Sequence, residues 1–274
     1  MKVETSRAVV WLAWGRKFID EAVESEATIS SLGYPTYLIT DAESCAYARE
    51  KAVFSEVIEA DFTSAGSGNQ RKSEMWRWLP ERHESFLFLD TDTRVLADVS
   101  LGFEKAKQYG IAMAPAAHYC LDQFWGFDEV MRKEGVRPRG QLQYNSGVIF
   151  FERSPEVKAV FKEWSRLTKE HGGRWDQSFL TLAMEKLNFR PYALSPNYNY
   201  RGMGVPIIGE VRIWHTPHEP PDNLNDEPGW WPMRYFVNGR FHRPGFKHNR
   251  LKAWTRRMLR RFGLLSYIRK IRTR

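Results

Sequence analysis

The chain contains an unbroken apolar run, residues 86–89, that ends directly at two carboxylates spaced one residue apart, Asp90 and Asp92. An apolar run without alternating polar residues indicates a strand that is covered on both faces, as in parallel sheets. Open α/β sheets bind ligands at the carboxyl ends of their strands, which is where Asp90 is expected to lie. Because two anions this close repel each other unless a positive charge lies between them, the pattern predicts a metal ion at this point.

The rest of the first 218 residues alternates between strand patterns and helix patterns. Short apolar runs predict strands at 8–12, 36–40, 53–59, 111–114 and 147–151. Apolar residues at helical spacing, bounded by glycine, proline or a Ser-Pro start, predict helical segments at 17–32, 71–79, 154–169 and 176–187. Such alternation is typical of an α/β protein with a mainly parallel sheet.

The composition fits a packed protein in a reducing compartment. Of 274 residues, 42% are hydrophobic and 14% are aromatic, which suffices for one large α/β domain or two smaller ones and excludes disorder throughout. Only Cys45 and Cys120 are present, too few for a disulfide framework, so a cytosolic location is the simplest expectation. The apolar stretch at 8–14 is far shorter than the roughly 18 residues needed to span a bilayer, and we interpret it as the first core strand.

The net charge of +8 is concentrated at the end of the chain. Residues 247–274 contain eleven Lys or Arg and no Asp or Glu, which leaves 30 basic and 33 acidic residues, a net charge of −3, in residues 1–246. Leu251, Trp254, Met258 and Phe262 recur at helical spacing among these basic residues, which predicts a basic amphipathic helix that lies on an anionic membrane. The alternative is that its apolar stripe packs on the preceding domain. No nucleic-acid partner is expected, because the chain carries no recognition motif.

Four motifs occur in an order that is typical of one enzyme class. They are Asp90-Thr-Asp92, Tyr144-Asn-Ser-Gly-Val-Ile-Phe-Phe151, Trp175-Asp-Gln177 and Val211-Arg-Ile-Trp-His215. Over about residues 7–218 they together resemble the GT-A type glycosyltransferases, and the nearest likeness is to the glycosyltransferase family 8 group. The resemblance implies a Rossmann-like, mainly parallel mixed sheet flanked by helices, and a nucleotide-diphosphate-sugar as the donor substrate.

By this resemblance Asp90, Asp92 and His215 hold Mn²⁺ or Mg²⁺, and the ion bridges the two phosphates of the donor. Oxygen ligands suit a hard cation, an imidazole favours Mn²⁺, and a cation beside the diphosphate neutralises charge that develops on the leaving group. The competing interpretation is that the two carboxylates cap a turn and that His215 is a surface histidine. His218 is close enough in sequence to be mistaken for it.

The resemblance also implies a pocket for the sugar. Asn145, Ser146 and Gly147 precede a predicted strand and are expected to line this pocket, with the glycine permitting close backbone approach. Asp176 and Gln177, at a helix start, are expected to contact the hydroxyls of the donor sugar near its anomeric carbon. A plain turn and an N-terminal helix cap are the structural alternatives for these two groups of residues.

Further positions are implied more weakly. Lys72 matches a basic position that reaches donor phosphate or sugar, although its arginine neighbours compete for that role and long cations on helices are usually solvated. Asp41 ends a strand where a contact to the nucleobase is common. Asn197 and Asn199 resemble a Pro-plus-Asn segment that closes the active site, and turn chemistry alone also explains them.

One expected segment is missing. Family 8 enzymes commonly continue from the metal-binding histidine into a Gly and Lys-Pro-Trp segment that grips the diphosphate, whereas His215 is followed here by Thr-Pro-His-Glu-Pro-Pro-Asp-Asn. The grip must come from elsewhere, and Arg212 and Arg201 are the candidates. Retaining and inverting chemistry both stay open, and an inverting reaction requires a base such as Asp122 or Asp176.

The sequence therefore predicts a GT-A catalytic domain at 1–218, a Pro- and Trp-rich loop region at 219–246, and a membrane-associating tail at 247–274. We expect a metal-dependent glycosyltransferase of hexosyltransferase type that uses a glycan or lipid-linked acceptor, peripherally associated with the inner face of the cytoplasmic membrane. One alternative is a phosphatase of the haloacid dehalogenase type, which expects Thr or Val where Arg94 stands. The other is a non-catalytic module that binds nucleotide-sugars.

Overall fold

The computed structural model describes residues 6–62, 71–124, 126–172, 176–202, 206–221, 224–225, 234–237 and 240–242. The basic tail at 247–274, most of the region 219–246 and Trp175 of the third motif lie outside these ranges. The amphipathic helix predicted for the tail therefore stays a prediction from sequence.

Strands and helices alternate along the described chain, as the sequence predicts. The strands are β1 (Arg7–Leu12), β2 (Thr36–Thr40), β3 (Glu56–Glu59), β4 (Ser85–Leu89), β5 (Thr93–Val95), β6 (Ile111–Cys120), β7 (Leu142–Glu152), β8 (Tyr192–Ala193), β9 (Pro206–Ile207), β10 (Ile213–His215), β11 (Arg234–Val237) and β12 (Arg240–His242). The α-helices are α1 (Arg16–Ile29), α2 (Ala42–Glu50), α3 (Ser100–Tyr109), α4 (Asp128–Lys133), α5 (Pro155–His171) and α6 (Asp176–Lys186). Short 3₁₀ helices cover Ser30–Leu32, Lys72–Trp78, Leu121–Gln123 and Pro196–Tyr198.

The central sheet has seven strands in the order β3-β2-β1-β4-β7-β6-β8. Strand β1 pairs in parallel with β2 and β4, β2 pairs in parallel with β3, and β6 pairs in parallel with β8. Strand β7 pairs antiparallel with both β4 and β6, so it runs against the other strands of this sheet. The predicted α/β class with a mainly parallel, mixed sheet is confirmed.

Both faces of the sheet are covered, which explains the continuous apolar runs in the sequence. Successive residues of β4 point to opposite sides. Phe88 belongs to a core that includes Phe161 of α5 and Phe179 of α6, whereas Leu87 belongs to a second core that includes Phe103 of α3. Burial of each such side chain stabilises the fold by about 1.5–3 kcal/mol, so the strand is anchored from two sides.

The structure differs from the sequence prediction at several elements. The segment predicted as helical at 71–79 is a 3₁₀ helix, and α2 and α3 were not predicted. Asn145, Ser146 and Gly147 lie inside β7 and do not precede a strand. The first half of β7 carries polar residues, so the apolar pattern reveals only its second half. Strands β11 and β12 form a hairpin inside the region predicted as a loop.

In the part of the chain that the structure describes, no helix has both the length and the apolar character needed to cross a bilayer.

Candidate active site

Asp90 and Asp92 lie in the turn between β4 and β5, at the carboxyl edge of the central sheet. The backbone N–H of Asp90 donates to the carbonyl of Gly147 at 2.8 Å, and the Thr93 hydroxyl donates to the carbonyl of Asp90 at 2.7 Å. The Thr93 hydroxyl also lies 2.9 Å from the hydroxyl of Ser25 on α1. These buried bonds fix the turn to two neighbouring elements, so the orientation of both carboxylates is set by the fold.

His215 reaches the same point from a different part of the chain. Strand β10 pairs antiparallel with β5, and the register places His215 opposite Thr93. The buried Nε2 atom of His215 lies 3.1 Å from Oδ1 of Asp92 and 3.6 Å from Oδ2 of Asp90. The three side chains can each offer one ligand atom, all within 4.8 Å of one another. His218 does not join them, and its carbonyl accepts a hydrogen bond from the Trp214 indole.

Other side chains contact both ring nitrogens of His215. Nη1 of Arg201 lies 2.7 Å from Nε2 of His215, and Oδ1 of Asn199 lies 2.6 Å from Nδ1. An amide oxygen only accepts hydrogen bonds, so Nδ1 donates to Asn199. An imidazole whose Nδ1 is held by an oxygen presents Nε2 to a metal.

Gly147 makes the close packing of this cluster possible. A Cβ atom at this position would lie 2.1 Å from Cε1 of His215 and 2.6 Å from Oδ2 of Asp90. Both distances are far below van der Waals contact, so a larger residue would push the histidine and the carboxylate apart. The two carboxylates, the oriented imidazole and this tight cradle fit a hard or borderline divalent cation such as Mg²⁺ or Mn²⁺.

Lys72 connects the candidate metal ligands to the residues expected to contact the sugar. Its Nζ atom lies 2.6 Å from Oδ1 of Asp90 and 3.5 Å from Oδ2 of Asp176. The hydroxyl of Ser146 donates to the same oxygen of Asp176 at 2.9 Å. Burial lowers the pKa of Lys72, but the two carboxylates outweigh this effect and the pKa is raised overall. Lys72 is therefore a permanent cation and not a solvated surface residue.

The electrostatics of Asp92 follow from the same cations. Burial raises the pKa of Asp92, whereas the approach of His215 and the positive charges of Arg201 and Lys72 lower it, and the pKa falls to about 2. Asp92 is therefore ionised at neutral pH. The site holds its negative charge in a form that is ready to bind a cation.

A chain of amide side chains joins the two halves of the site. The Nδ2 atom of Asn145 donates to Oε1 of Gln177 at 3.3 Å. Oδ1 of Asn145 accepts from the backbone of Gly147 and from Nδ2 of Asn199, each at 2.9 Å. Because Asn199 also binds His215, the orientation of the histidine is coupled to that of the expected sugar-binding residues.

The three candidate metal ligands and Lys72 open into a cavity of about 450 Å³, which we call the site cavity, whereas Asp176 and Gln177 are not among the residues that line it. It is lined by Leu12, Ala13, Trp14, Phe18, Glu21, Lys72, Asp90, Thr91, Asp92, Arg201, His215 and Pro217. The residues that follow β1 were missed in the sequence. The rule that placed ligands beyond the end of β4 applies equally to the end of β1, and it could have pointed to Ala13 and Trp14.

Asp41 is not brought together with the other predicted residues. Its carboxylate caps the start of α2 by accepting from the backbone N–H of Ser44 at 3.1 Å, and it pairs with Arg71 at 3.2 Å. It lines a second cavity, of about 600 Å³, together with Glu43 and other acidic residues. Its expected contact with the nucleobase stays a prediction.

The structure distinguishes between Arg201 and Arg212, the two candidates for binding the donor diphosphate. Arg201 lines the site cavity. Arg212 donates to the carbonyl of Asp98 at 2.6 Å and pairs with Glu210 at 3.3 Å, and it is not among the residues that line the cavity. Asn197 likewise binds backbone, because its side-chain amide donates to the carbonyls at 208 and 210. Within this segment, Asn199 and Arg201 face the site.

Comparisons with known proteins bear on the family and the fold of the chain. The family model for nucleotide-diphospho-sugar transferases matches residues 66–205. A crystal structure of an active-site mutant of LgtC matches with a TM-score of 0.50 and 11% identity, over 70% of this chain and 74% of that chain. The apo form of mouse xyloside xylosyltransferase 1 matches with a TM-score of 0.49 and 17% identity, over 80% of this chain and 98% of that chain. No curated protein sequence gives a significant match. The likeness to LgtC shows that the described domain has the GT-A fold.

Proposed function

The chain belongs to the nucleotide-diphospho-sugar transferase family, and from this premise we propose that it is a metal-dependent glycosyltransferase. It moves a sugar from a nucleotide-diphosphate-sugar to a hydroxyl of a glycan or lipid-linked acceptor, and Mn²⁺ or Mg²⁺ serves as its cation. The observation that carries the proposal is the convergence of Asp90, Asp92 and His215 beside Lys72 at the mouth of one cavity. The family match argues against the phosphatase alternative, in which the first aspartate attacks the substrate.

The roles of the residues follow from their contacts. Asp90, Asp92 and His215 hold the cation, which when bound offsets negative charge on the departing diphosphate. Lys72 places a buried positive charge between Asp90 and Asp176, at the boundary between the diphosphate and the sugar. A fixed charge in a water-poor site stabilises charge that develops as the glycosidic bond breaks, without needing to reorganise.

The donor sugar is positioned by Asp176 and Gln177. Oδ2 of Asp176 contacts Ser146 and Lys72, and in the proposed complex Oδ1 accepts from the sugar hydroxyls. The amide of Gln177 is oriented by its bond to Asn145. Side chains that are held in place before the donor arrives lose little freedom on binding, so they select one orientation of the sugar.

The test is a thermal-shift screen of nucleotide-sugars with and without Mn²⁺, followed by an assay of nucleoside diphosphate release. A donor is expected to stabilise the protein only together with the ion, because the two bind as one unit. Asp92→Asn should abolish the stabilisation, whereas Asp128→Asn, which removes a carboxylate that pairs with Arg132 on α4, should not. A screen in which no nucleotide-sugar stabilises the protein in the presence of the ion contradicts the proposal.

We further propose that residues 247–274 recruit the enzyme to the cytoplasmic face of an anionic membrane, where a lipid-linked acceptor is available. The support is the pattern of eleven basic residues, no acidic residues and apolar residues at helical spacing. Deletion of 247–274 should abolish binding to anionic liposomes and leave slow donor hydrolysis unchanged. Liposome binding that survives the deletion contradicts this recruitment.

A further inference from the structure

Arg201 occupies the place that a metal ion needs. Its Nη1 atom lies 2.7 Å from Nε2 of His215, the nitrogen that the histidine would offer to a cation. A guanidinium and a metal ion therefore compete for the same nitrogen. One lone pair cannot serve both partners at once. A cation that binds His215 must therefore displace Arg201.

The charges of the site show where the displaced guanidinium goes. Three carboxylates, Asp90, Asp92 and Asp176, face two cations, Lys72 and Arg201, so one negative charge is left over. A divalent ion that enters between the aspartates takes over the balancing role of the guanidinium. A donor diphosphate that enters with the ion brings new anionic oxygens into the same cavity. The released arginine lies within that cavity and is attracted to them.

Two other described cations that could take this role, Lys72 and Arg212, are committed to different partners. Lys72 is held between two carboxylates that belong to different elements, Asp90 and Asp176. Arg212 binds the carbonyl of Asp98 and pairs with Glu210. A guanidinium presents a planar fork of donors that matches two phosphate oxygens, which a lysine ammonium does not. Arg201 is therefore the group suited to replace the lysine that is missing after His215.

We propose that Arg201 is a place-holding cation that exchanges partners. It binds His215 while the site is free of ligand, and it binds the donor diphosphate once a divalent ion has taken its place on the histidine. The proposal rests on the proposed glycosyltransferase function. It explains how the chain manages without the Lys-Pro-Trp segment, and it makes release of Arg201 a step that couples binding of the ion to binding of the donor.

The exchange predicts effects of opposite sign in one variant. Arg201→Ala removes a competitor for His215 and a like charge, so Mn²⁺ alone should bind about tenfold tighter. The same variant loses charged hydrogen bonds to the diphosphate, so a nucleoside diphosphate should bind roughly 10–100-fold more weakly at saturating Mn²⁺. Arg201→Lys keeps the positive charge but loses the planar fork of donors. It should lower the affinity for the nucleoside diphosphate and change the affinity for Mn²⁺ less than Arg201→Ala does.

Mn²⁺ binding is measured by electron paramagnetic resonance, and binding of UDP, GDP, ADP and CDP is measured one by one by calorimetry. The control is Arg190→Ala, which removes an exposed arginine that pairs with Glu185; neither affinity should change. If both affinities of Arg201→Ala fall together, or neither changes, the exchange is wrong. If the wild type and Asp92→Asn bind Mn²⁺ equally poorly, the proposed metal-dependent function is wrong. This comparison does not involve the Arg201 variants, so it tests the function separately from the exchange.

Discussion

Two clusters in this protein have nearly the same composition and opposite properties. The site cluster is Asp90, Asp92 and His215, and the helix cluster is Glu134, Glu170 and His171. Each offers two carboxylates and an imidazole whose ligand atoms lie within 4.8 Å of one another. A list of ligand types therefore cannot decide which of them binds a metal.

The helix cluster already has its cations in place. Glu134 accepts from Arg166 of α5 and Lys186 of α6 through one oxygen and contacts Nε2 of His171, at 2.6 Å, through the other. Burial raises the pKa of Glu134, but its bonds with Lys186, His171 and Arg166 outweigh this effect and lower the pKa to about 2. The ion pairs with Arg166 and Lys186 connect the end of α4 to α5 and α6. We interpret the helix cluster as a structural ion-pair network.

The site cluster differs in access and not in charge. Its carboxylates, 22% exposed for Asp90 and 30% for Asp92, line one cavity together, whereas in the helix cluster Glu134 is only 8% exposed and Glu170 is an exposed surface residue. Its histidine is contacted by an arginine that also lines the cavity. The comparison teaches that a candidate metal centre is recognised by ligand atoms that face open space and by a cation that can be displaced.

The largest expected effect is a loss of catalytic activity that occurs when the site cluster is changed and not when the helix cluster is changed. Asp92→Asn should reduce kcat/KM for sugar transfer by about 10³-fold, because a metal centre contributes several kcal/mol to stabilisation of the leaving group. The matched change in the helix cluster, Glu170→Gln, should leave kcat/KM within about twofold, because its carboxylate is exposed and contributes little. Steady-state assays of both purified variants give the ratio, and a comparable loss in both would remove the distinction.

Stability should show the reverse order. Glu134→Gln removes the buried anion that Arg166 and Lys186 share, although Glu163 still pairs with both, so the free energy of unfolding should fall by roughly 1.5–3 kcal/mol. Asp92→Asn removes an anion that Arg201 and Lys72 stabilise, but this side chain is 30% exposed and lies beside Asp90, so the loss of stability should be smaller, about 1 kcal/mol or less. Urea unfolding followed by circular dichroism measures both. A Glu134→Gln protein as stable as the wild type would show that the ion-pair network does not contribute to the stability of the fold.

The acid dependence of stability sharpens the same contrast. The pKa of Glu134 is about 2 in the folded protein against an ordinary value of 4.5, so folding favours the ionised form. Its contribution is fully present above about pH 4.5 and is lost as the pH falls toward 2. Glu134→Gln should therefore lose stability less steeply than the wild type over this window, when urea midpoints are compared between about pH 6 and 3. Parallel curves for the two proteins would exclude Glu134 as a source of the acid sensitivity.

The smallest effect concerns the residue that orients His215. Asn199→Ala removes the oxygen that accepts from Nδ1, and loss of such an outer partner typically weakens metal binding 10–100-fold. The control is Asn197→Ala in the same segment, whose side-chain amide donates to the backbone carbonyls at 208 and 210 and which should leave Mn²⁺ affinity unchanged. Electron paramagnetic resonance titrations compare the two. Equal Mn²⁺ affinity in both variants would show that His215 is held without Asn199.

Much of the fold follows from local patterns. The runs at 8–12, 36–40 and 86–89 are strands that are buried because both faces of the sheet are covered. A strand buried on both faces has consecutive apolar residues, so its burial can be recognised from the sequence. The helices α2 and α3 were missed because their apolar faces are short; α2, for example, buries only Ser44, Cys45 and Ala48. The start of β7 was missed because its polar residues serve the site and interrupt the apolar pattern.

The sequence by itself determined that the chain forms a mainly parallel α/β sheet and that Asp90 and Asp92 lie at the end of a buried strand, because strand burial and the spacing of neighbouring residues are local properties. Only the tertiary structure decided that His215, and not His218, completes the cluster, because that choice depends on the register between β10 and β5. It also decided between Arg201 and Arg212, since contacts between residues distant in sequence follow from packing that no local pattern encodes.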